Sequence, residues 1–204
     1  MDKSYLTNGA VYIFENSEAG RVKVGLTCIG LNQVVDRLRD INDMWLGRKA
    51  TCQICGGRRL VDKVEGLLPQ HVVSGIRCPG TGALPLEKDI TLAESYLEKM
   101  KNRLSELSGV EKKSTVRRVN TLEKRIDKFR YYNGPVGEWQ SRVIFYTKGA
   151  ERVEPLSHEI LAKYLDKQAP FGEIFCCSVS VATEAVETAL SQLGLLDSVR
   201  KENK

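Results

Sequence analysis

The segment that decides the fold runs from Gly9 to Arg37, with the sequence GAVYIFENSEAGRVKVGLTCIGLNQVVDR. The β-branched and aromatic run at residues 11–14 predicts a strand, and the alternation of polar and apolar residues at 21–25 predicts a second strand. The polar segment between them ends in glycine, so the two strands should join through a turn as a β-hairpin. Apolar side chains then recur at helical spacing over residues 32–42, which predicts a helix after the hairpin.

Three side chains of this segment are placed to meet on one face. Tyr12 and Lys23 lie on the neighbouring predicted strands, and Arg37 projects from the predicted helix toward them. An unpaired cation is costly to bury, so such groups face either solvent or an anion. One interpretation is therefore a solvated sheet face with a tyrosine packed beside it. The other interpretation is a site that binds an anionic group.

The bulk composition is that of a globular protein with room for one domain and an insertion. The chain has 204 residues, of which 42% are hydrophobic and 28% charged, and a formal net charge of +5. This mildly basic balance is compatible with a polyanionic partner. No apolar run approaches the roughly 20 residues needed to span a membrane, and the N-terminal residues contain no apolar signal segment. We therefore expect a cytoplasmic protein with no membrane partner, whose cysteines are reduced or metal-bound.

Residues 51–82 form a Gly-rich segment that contains four potential metal ligands. Cys52 and Cys55 are separated by two residues, as in a metal-binding knuckle, and His71 and Cys78 follow close together. The four would complete a closed Cys3His site for a structural Zn²⁺ ion, which would supply much of the folding energy of so short a segment. The segment also resembles small zinc ribbons of the form C-x2-C-G…H…C-P-G-[ST]-G. The alternative is a reduced cysteine pair beside a surface histidine.

Residues 89–132 carry apolar side chains at three- and four-residue intervals, interrupted at Ser108-Gly109. This pattern predicts an antiparallel helical hairpin. Acidic and basic residues are interleaved along it. Four basic residues on the second arm could contact a DNA backbone: Arg117, Arg118, Lys124 and Arg125. A solvated spacer and a contact between two copies in a homodimer remain as alternatives.

The third strand of the sheet is predicted at residues 142–146, where apolar and aromatic residues cluster. A helix should follow, beginning at Arg152 or Pro155 and ending at Leu165, because proline is tolerated in the first turn of a helix. Glu154 and His158 lie four residues apart and would share one face of this helix.

The end of the chain is predicted to contain a short strand, a helix and a tail. The strand lies within residues 172–177, and Ser180 can cap the final helix. The fold class is therefore α+β: a small three-stranded mixed or antiparallel sheet flanked by helices, with an inserted zinc ribbon and helical hairpin. The predicted domains are residues 1–47 with 141–196 for the split sheet domain, 48–86 for the zinc-binding insertion, 87–134 for the hairpin and 197–204 for a flexible tail.

Five short motifs occur along the chain in a fixed order: Val11-Tyr12, Lys23-Val24-Gly25, Asp36-Arg37-Leu38, Glu154 with His158, and Gly172-Glu173-Ile174-Phe175. This ordered set resembles the GIY-YIG nuclease family, and within it the branch whose second motif is Lys-Ile-Gly rather than Tyr-Ile-Gly. The resemblance covers residues 9–43 and 141–193, on either side of the insertion. At Ile174 an aromatic residue is more usual in that branch.

The resemblance implies a metal-dependent DNA endonuclease that hydrolyses phosphodiester bonds. In that case Glu154 would hold a catalytic Mg²⁺ or Mn²⁺ ion, since Mg²⁺ often takes only one or two protein oxygens. Arg37 would clamp the scissile phosphate. Tyr12 would activate the attacking water, and Lys23, at the position of the usual second tyrosine, would lower the pKa of Tyr12. His158 would relay a proton or position the substrate.

A second class of function fits the same residues. The chain could be a zinc-stabilised nucleic-acid-binding or regulatory protein on a nuclease scaffold that no longer cleaves. The convergence of Tyr12, Arg37 and Glu154 on one point would favour the enzyme over the binding protein.

Overall fold

The computed structural model describes residues 9–28, 31–130, 137–167, 169 and 173–204. The predicted motif residue Gly172, residues 131–134 of the predicted hairpin insertion and residues 1–8 of the first predicted domain lie outside these. In the described residues there are five α-helices: α1 (Leu31–Trp45), α2 (Thr91–Arg103), α3 (Gly109–Arg130), α4 (Ala150–Ile160) and α5 (Val179–Gln192). The strands are β1 (Ala10–Asn16), β2 (Arg21–Thr27), β3 (Lys49–Thr51), β4 (Arg58–Leu60), β5 (Val72–Val73), β6 (Ile76–Arg77), β7 (Gln140–Tyr146), β8 (Ile174–Phe175) and β9 (Arg200–Asn203).

The chain divides into two compact units. The first comprises Met1–Asp43 and Val136–Lys204, and the second comprises Met44–Pro135. The first unit is thus built from both ends of the chain, and the second is a continuous segment between them. No helix among the described residues is both long and apolar enough to cross a membrane.

The first unit contains a five-stranded antiparallel sheet in the order β8-β2-β1-β7-β9. The predicted hairpin is present, with Tyr12 opposite Gly25 and Phe14 opposite Lys23. The prediction of an α+β fold is therefore confirmed. The prediction of three strands was wrong, because β8 and β9 extend the sheet at its two edges.

The predicted flexible tail forms the edge strand β9, so that prediction was wrong as well. Residues 200–203 pair with residues 143–146 of β7. The sequence of β9 is polar and lacks apolar alternation, but its partners provide the contacts: the Tyr146 hydroxyl donates to the Glu202 carboxylate at 3.1 Å, and Lys201 Nζ lies 5.5 Å from the Phe145 ring centroid. A charged sequence is typical of an edge strand, since its outer side faces solvent.

One face of this sheet packs against α4 and α5 to form the core. Its fully or nearly fully buried strand residues are Val11, Ile13, Val22, Val24, Val143 and Phe145. On the helices, small side chains such as Ala182, Ala185 and Ala189 let α5 approach the sheet closely. The opposite face carries Tyr12 and Phe14, whose rings stack with centroids 4.2 Å apart.

Two helix starts differ from the predictions. Helix α4 begins at Ala150, so Pro155 lies in its interior and not in its first turn. Proline removes the donor that would bond to the carbonyl of Glu151, an exposed residue, and its ring crowds the same carbonyl, so the cost is confined to one turn. Helix α5 is capped by Ser178 and not by Ser180: the N–H of Val181 donates to Ser178 Oγ at 3.3 Å.

The second unit joins small β-hairpins to a helical hairpin. Strands β3 and β4 pair with one another, as do β5 and β6. Helices α2 and α3 run antiparallel, since Glu94 pairs with Arg130 at 3.1 Å whereas Lys101, further along α2, pairs with Glu123 at 2.5 Å. The first arm ends at Arg103, earlier than the apolar pattern predicts.

Buried polar contacts connect the cysteine-rich segment to the start of α2. The Gln53 amide donates to Leu84 O at 2.7 Å and accepts from the N–H of Ala93 at 2.9 Å. The apolar core of the segment is small, with only Cys52, Leu68 and Cys78 fully buried in it. So little apolar burial favours a further source of stability, such as a metal ion.

Candidate functional site

The candidate site lies at the exposed edge of β2. Strand β8 pairs with β2 only at Val22 and Lys23, and no other strand of the described chain extends this pairing to residues 24–26. Helix α4 takes the place of a neighbouring strand there. His158 Nε2 lies 3.0 Å from Val24 O, and the N–H of Leu26 donates to the Glu154 carboxylate. The Glu154 and His158 side chains thus bind backbone groups of β2 that would otherwise form hydrogen bonds to a neighbouring strand.

A third potential ligand joins these two. One ligand atom from each of Glu154, His158 and Glu173 lies within 4.8 Å of the other two. Glu173 immediately precedes β8 and has a φ of 70°, a backbone conformation uncommon for a residue with a side chain. Two carboxylates and an imidazole could hold a divalent ion: oxygen ligands suit Mg²⁺ and Mn²⁺, and the imidazole adds a preference for a transition metal.

The electrostatics of Glu154 favour a cation at this point. Burial raises the pKa of its carboxyl, and the nearby Glu173 carboxylate raises it further, while His158 and Lys23 oppose the shift. Desolvation and a like charge both disfavour the ionised form. A bound cation would offset both effects.

Tyr12 reaches the same edge because residue 25 is glycine. A Cβ atom built on Gly25 would lie 2.5 Å from the Tyr12 hydroxyl oxygen and under 3 Å from its ring. The ring therefore lies directly against the β2 backbone. Burial raises the pKa of Tyr12 to about 12, Arg37 opposes this, and Glu154 and Glu173 add to it. The charges of Arg37 and of both carboxylates thus all act on the pKa of Tyr12.

Lys23 has a different partner from the one expected. Its Nζ forms an ion pair with the Glu173 carboxylate at 3.0 Å, and the cation that lowers the pKa of Tyr12 is Arg37. Arg37 is exposed on α1, as a residue that contacts a substrate should be. We refer to Tyr12, Lys23, Arg37, Glu154, His158 and Glu173 together as the β2-edge site.

Glu173 is the member of this site to which the sequence analysis gave no role. It was visible as the acidic residue of the Gly-Glu-Ile-Phe motif. Its proximity to Glu154 depends on the pairing of β8 with β2, which places Ile174 opposite Lys23. Such long-range pairing cannot be derived from one short apolar strand.

The predicted zinc ligands also come together, in the second unit. Ligand atoms of Cys52, Cys55, His71 and Cys78 all lie within 4.8 Å of one another. The Sγ atoms of Cys52 and Cys78 are 3.7 Å apart, and Cys55 Sγ is 3.6 Å from His71 Nε2. His71 Nδ1 lies 2.9 Å from Pro69 O, which fixes a proton on Nδ1 and leaves the Nε2 lone pair for a metal. This Cys3His cluster could hold a metal such as zinc.

Three of the four predicted DNA-contacting residues line the same cavity, and the fourth lines another depression of the same unit. Arg117, Arg118 and Arg125 line a cavity beside the Cys3His cluster. Lys124 lies at a separate depression, together with the acidic residues Glu123 and Asp127.

The arrangement of side chains at the β2 edge is the basis on which a function can be argued. It combines a potential divalent-metal cluster, an ionisable hydroxyl and two cations within the first unit. Comparisons of the chain with protein-family models, with curated proteins and with solved structures find no match.

Proposed function

We propose that the chain is a metal-dependent DNA endonuclease of the GIY-YIG type, which hydrolyses phosphodiester bonds at the β2-edge site. The observation that carries this proposal is the clustering of potential metal ligands from Glu154, His158 and Glu173 at the edge of β2. Phosphodiester hydrolysis needs a polarised phosphate, a deprotonated water and a stabilised leaving oxygen. The β2-edge site has a candidate group for each requirement.

The carboxylates and the imidazole would hold a catalytic Mg²⁺ or Mn²⁺ ion. Both acids are partly exposed or exposed, so an ion and a substrate could reach them from solvent. The ion would supply Lewis acidity at a phosphate oxygen. Without the ion, the Glu173 carboxylate forms an ion pair with Lys23 at 3.0 Å. The Glu154 carboxylate accepts a hydrogen bond from the N–H of Leu26.

The cations would anchor the phosphate. The guanidinium of Arg37 can donate two parallel hydrogen bonds to phosphate oxygens and neutralise the charge that develops in the transition state. Lys23 could add a point charge, because its ammonium lies on the same exposed edge as Glu173. The exposure of Arg37 leaves its guanidinium accessible to a DNA strand.

Tyr12 would take the proton of the attacking water. With a pKa raised to about 12, its hydroxyl is protonated at neutral pH. Burial is the largest cause and persists in the complex, but the contributions of Glu154 and Glu173 would be offset by a divalent ion bound to them. A bound divalent ion would thus lower the pKa of Tyr12, and the phenol would have to release its own proton to solvent before it could accept one from the attacking water.

The second unit would serve target binding. Its Cys3His cluster would hold a structural zinc ion, since four ligands leave no open position for chemistry. The arginines of α3 would contact DNA.

A second candidate function is favoured by one observation. The pKa of Tyr12 is raised and not lowered, which is the wrong direction for a base that acts at neutral pH. A zinc-stabilised protein that binds or regulates nucleic acid without cleaving it would need no such base.

A cleavage assay separates the two. Wild-type protein, Glu154→Gln and Glu159→Gln should be incubated with supercoiled plasmid DNA and Mg²⁺ or Mn²⁺. Glu159 is an exposed acid on the same helix and provides the matched control. We expect wild type and Glu159→Gln to cleave at equal rates, and Glu154→Gln to lose about 10²–10³-fold, typical for loss of a transition-state electrostatic contact.

Binding of DNA by Glu154→Gln should be unchanged or stronger, because a negative charge facing phosphate is removed. Absence of cleavage by the wild type with both ions would leave the non-cleaving function as the better account. Equal losses of cleavage in Glu154→Gln and Glu159→Gln would show that the potential metal ligands at the β2 edge have no specific role in cleavage.

A further inference from the structure

The second unit contains a cavity that lies outside the β2-edge site. It has a volume of about 680 Å³ and lies between the Cys3His cluster and the helical hairpin. Arg77 from β6 and Arg117, Arg118 and Arg125 from α3 line it. We refer to this cavity as the arginine cleft. Its volume falls in the usual range for small-molecule sites, about 300–1,000 Å³.

Part of the wall of the arginine cleft is apolar. Met100 and Leu122 form part of its lining on the hairpin, and Ile54 and Pro79 on the cysteine-rich segment. Ile76, at the end of the β5–β6 hairpin, also lines it and is 74% exposed. Ile76 therefore adds an accessible apolar side chain to this part of the wall.

The charge in the arginine cleft is of one sign. None of its lining residues is acidic. Within the described ranges, no carboxylate forms an ion pair with any of the four arginines. Four guanidinium groups around one concavity repel each other, and a bound anion would relieve that repulsion.

Two of the arginines are held in position by neutral groups. Arg125 donates to Ile54 O at 3.1 Å, and its guanidinium lies so close to Gly56 that a Cβ atom there would be 2.2 Å away. Arg118 donates to the Tyr96 hydroxyl at 3.2 Å, and Tyr96 itself lines the cleft. Neutral partners orient a guanidinium without cancelling its charge, which leaves it able to bind an anion.

We propose that the arginine cleft holds an unpaired nucleotide of a single DNA strand, with the base against the apolar wall and the adjacent phosphates on the arginines. The combination of features selects this occupant. Free phosphate would not use the apolar wall, whereas a nucleotide has both a flat apolar face and a charged group. A duplex presents its stacked bases edge-on and could not fill the cleft unless one base left the stack. The choice of DNA rests on the proposed function, but binding in the cleft does not require cleavage.

Binding of a fluorescein-labelled single-stranded oligodeoxynucleotide, and of the duplex of the same sequence, tests this proposal. The full chain is used as purified, with no divalent ion and no chelator added, so that cleavage plays no part. The variants are Arg117→Gln/Arg118→Gln, Ile76→Ser, and the matched control Lys112→Gln/Lys113→Gln. Both control lysines are exposed on α3 outside the cleft lining, and the control removes the same charge from the same helix.

We expect the single strand to bind more tightly than the duplex. The double arginine variant should weaken single-strand binding at least tenfold and flatten the slope of log K against log salt by about 1.4, for two single-strand phosphates. Ile76→Ser should weaken binding about fivefold or more with an unchanged salt slope, as expected for a lost contact to a base. The control should change both quantities much less than the arginine variant.

Three results would overturn the proposal: tighter binding of the duplex, equal losses in the arginine and lysine variants, or no effect of Ile76→Ser. The last would indicate an anion-binding surface with no role for the base. Ile76 is so exposed that its replacement leaves the fold intact. Because the assay contains no cleavage step, the proposal can succeed when the endonuclease proposal fails, and the reverse.

Discussion

Gly25 and Tyr12 show how one small residue can position a reactive one. The two lie directly opposite each other in the hairpin, and the Tyr12 ring occupies the space above the glycine. Phe14 stacks on the ring from the other side at 4.2 Å, so the phenol has little freedom to move away. A glycine within a strand often marks a site where another group approaches the backbone closely, but the sequence does not show that this group is the hydroxyl-bearing ring.

Gly25→Ala is therefore expected to displace Tyr12. The new methyl group would meet a buried and stacked ring, and overpacking of this kind costs about 1–3 kcal/mol of unfolding free energy. Thermal or denaturant unfolding measures the cost. In a Tyr12→Ala background the same change should be nearly neutral, because the ring is no longer there.

The double-mutant cycle gives the coupling between the two positions. If Gly25→Ala destabilised both backgrounds equally, the close contact would not be the cause. Cleavage by Gly25→Ala should fall more than the loss of folded protein accounts for, since the hydroxyl would leave the β2-edge site.

At the scale of elements, local patterns predicted the hairpin, α1 and the antiparallel helical hairpin, because their periodicity lies within each segment. The edge strand β9 could not be predicted in this way. Its sequence is polar, and it forms a strand because the backbone groups at the edge of β7 pair with it. The interior position of Pro155 was missed for a related reason: packing of α4 on the sheet outweighs the loss of one helical hydrogen bond.

We expect the Cys3His cluster to depend on a bound metal ion for its stability, because little apolar surface is buried around it. We expect purified protein to contain about one tightly bound zinc ion per chain, and Cys52→Ser to lose it. Elemental analysis gives the zinc content, and thermal unfolding should show a lower midpoint for Cys52→Ser. Cys176→Ser is the matched control, since Cys176 is an exposed cysteine outside the cluster. A zinc-free wild type, purified without chelator, would contradict the assignment.

At the scale of the whole molecule, the β2-edge site draws on both ends of the chain. Tyr12, Lys23 and Arg37 precede the second unit in sequence, and Glu154, His158 and Glu173 follow it. The sequence order of the motifs predicted this division, but only the sheet pairing of β1 with β7 and of β2 with β8 shows how the two ends are joined. Joining segments so distant in sequence closes a long loop, whose entropic cost grows only slowly with its length.

The two segments of the first unit contact each other close to the points where the chain enters and leaves the second unit. The Asn42 side chain donates to Trp139 O at 3.0 Å and accepts from the N–H of Trp139 at 2.7 Å. The residues that flank the insertion are therefore neighbours in space within the first unit. A short connection can replace residues 44–135 without stretching this pair.

We expect a chain in which a short Gly-Ser linker replaces residues 44–135 to fold as the first unit alone. It should unfold cooperatively, bind no zinc and retain divalent-metal-dependent cleavage of plasmid DNA at saturating substrate within about tenfold of wild type, since the β2-edge site is complete within it. Its affinity for DNA should be much lower, because the arginines of α3 are absent. The same shortened chain with Glu154→Gln is the control for residual cleavage. Loss of cooperative unfolding would show that the first unit depends on the second, and unchanged DNA affinity would show that the helical hairpin does not bind the target.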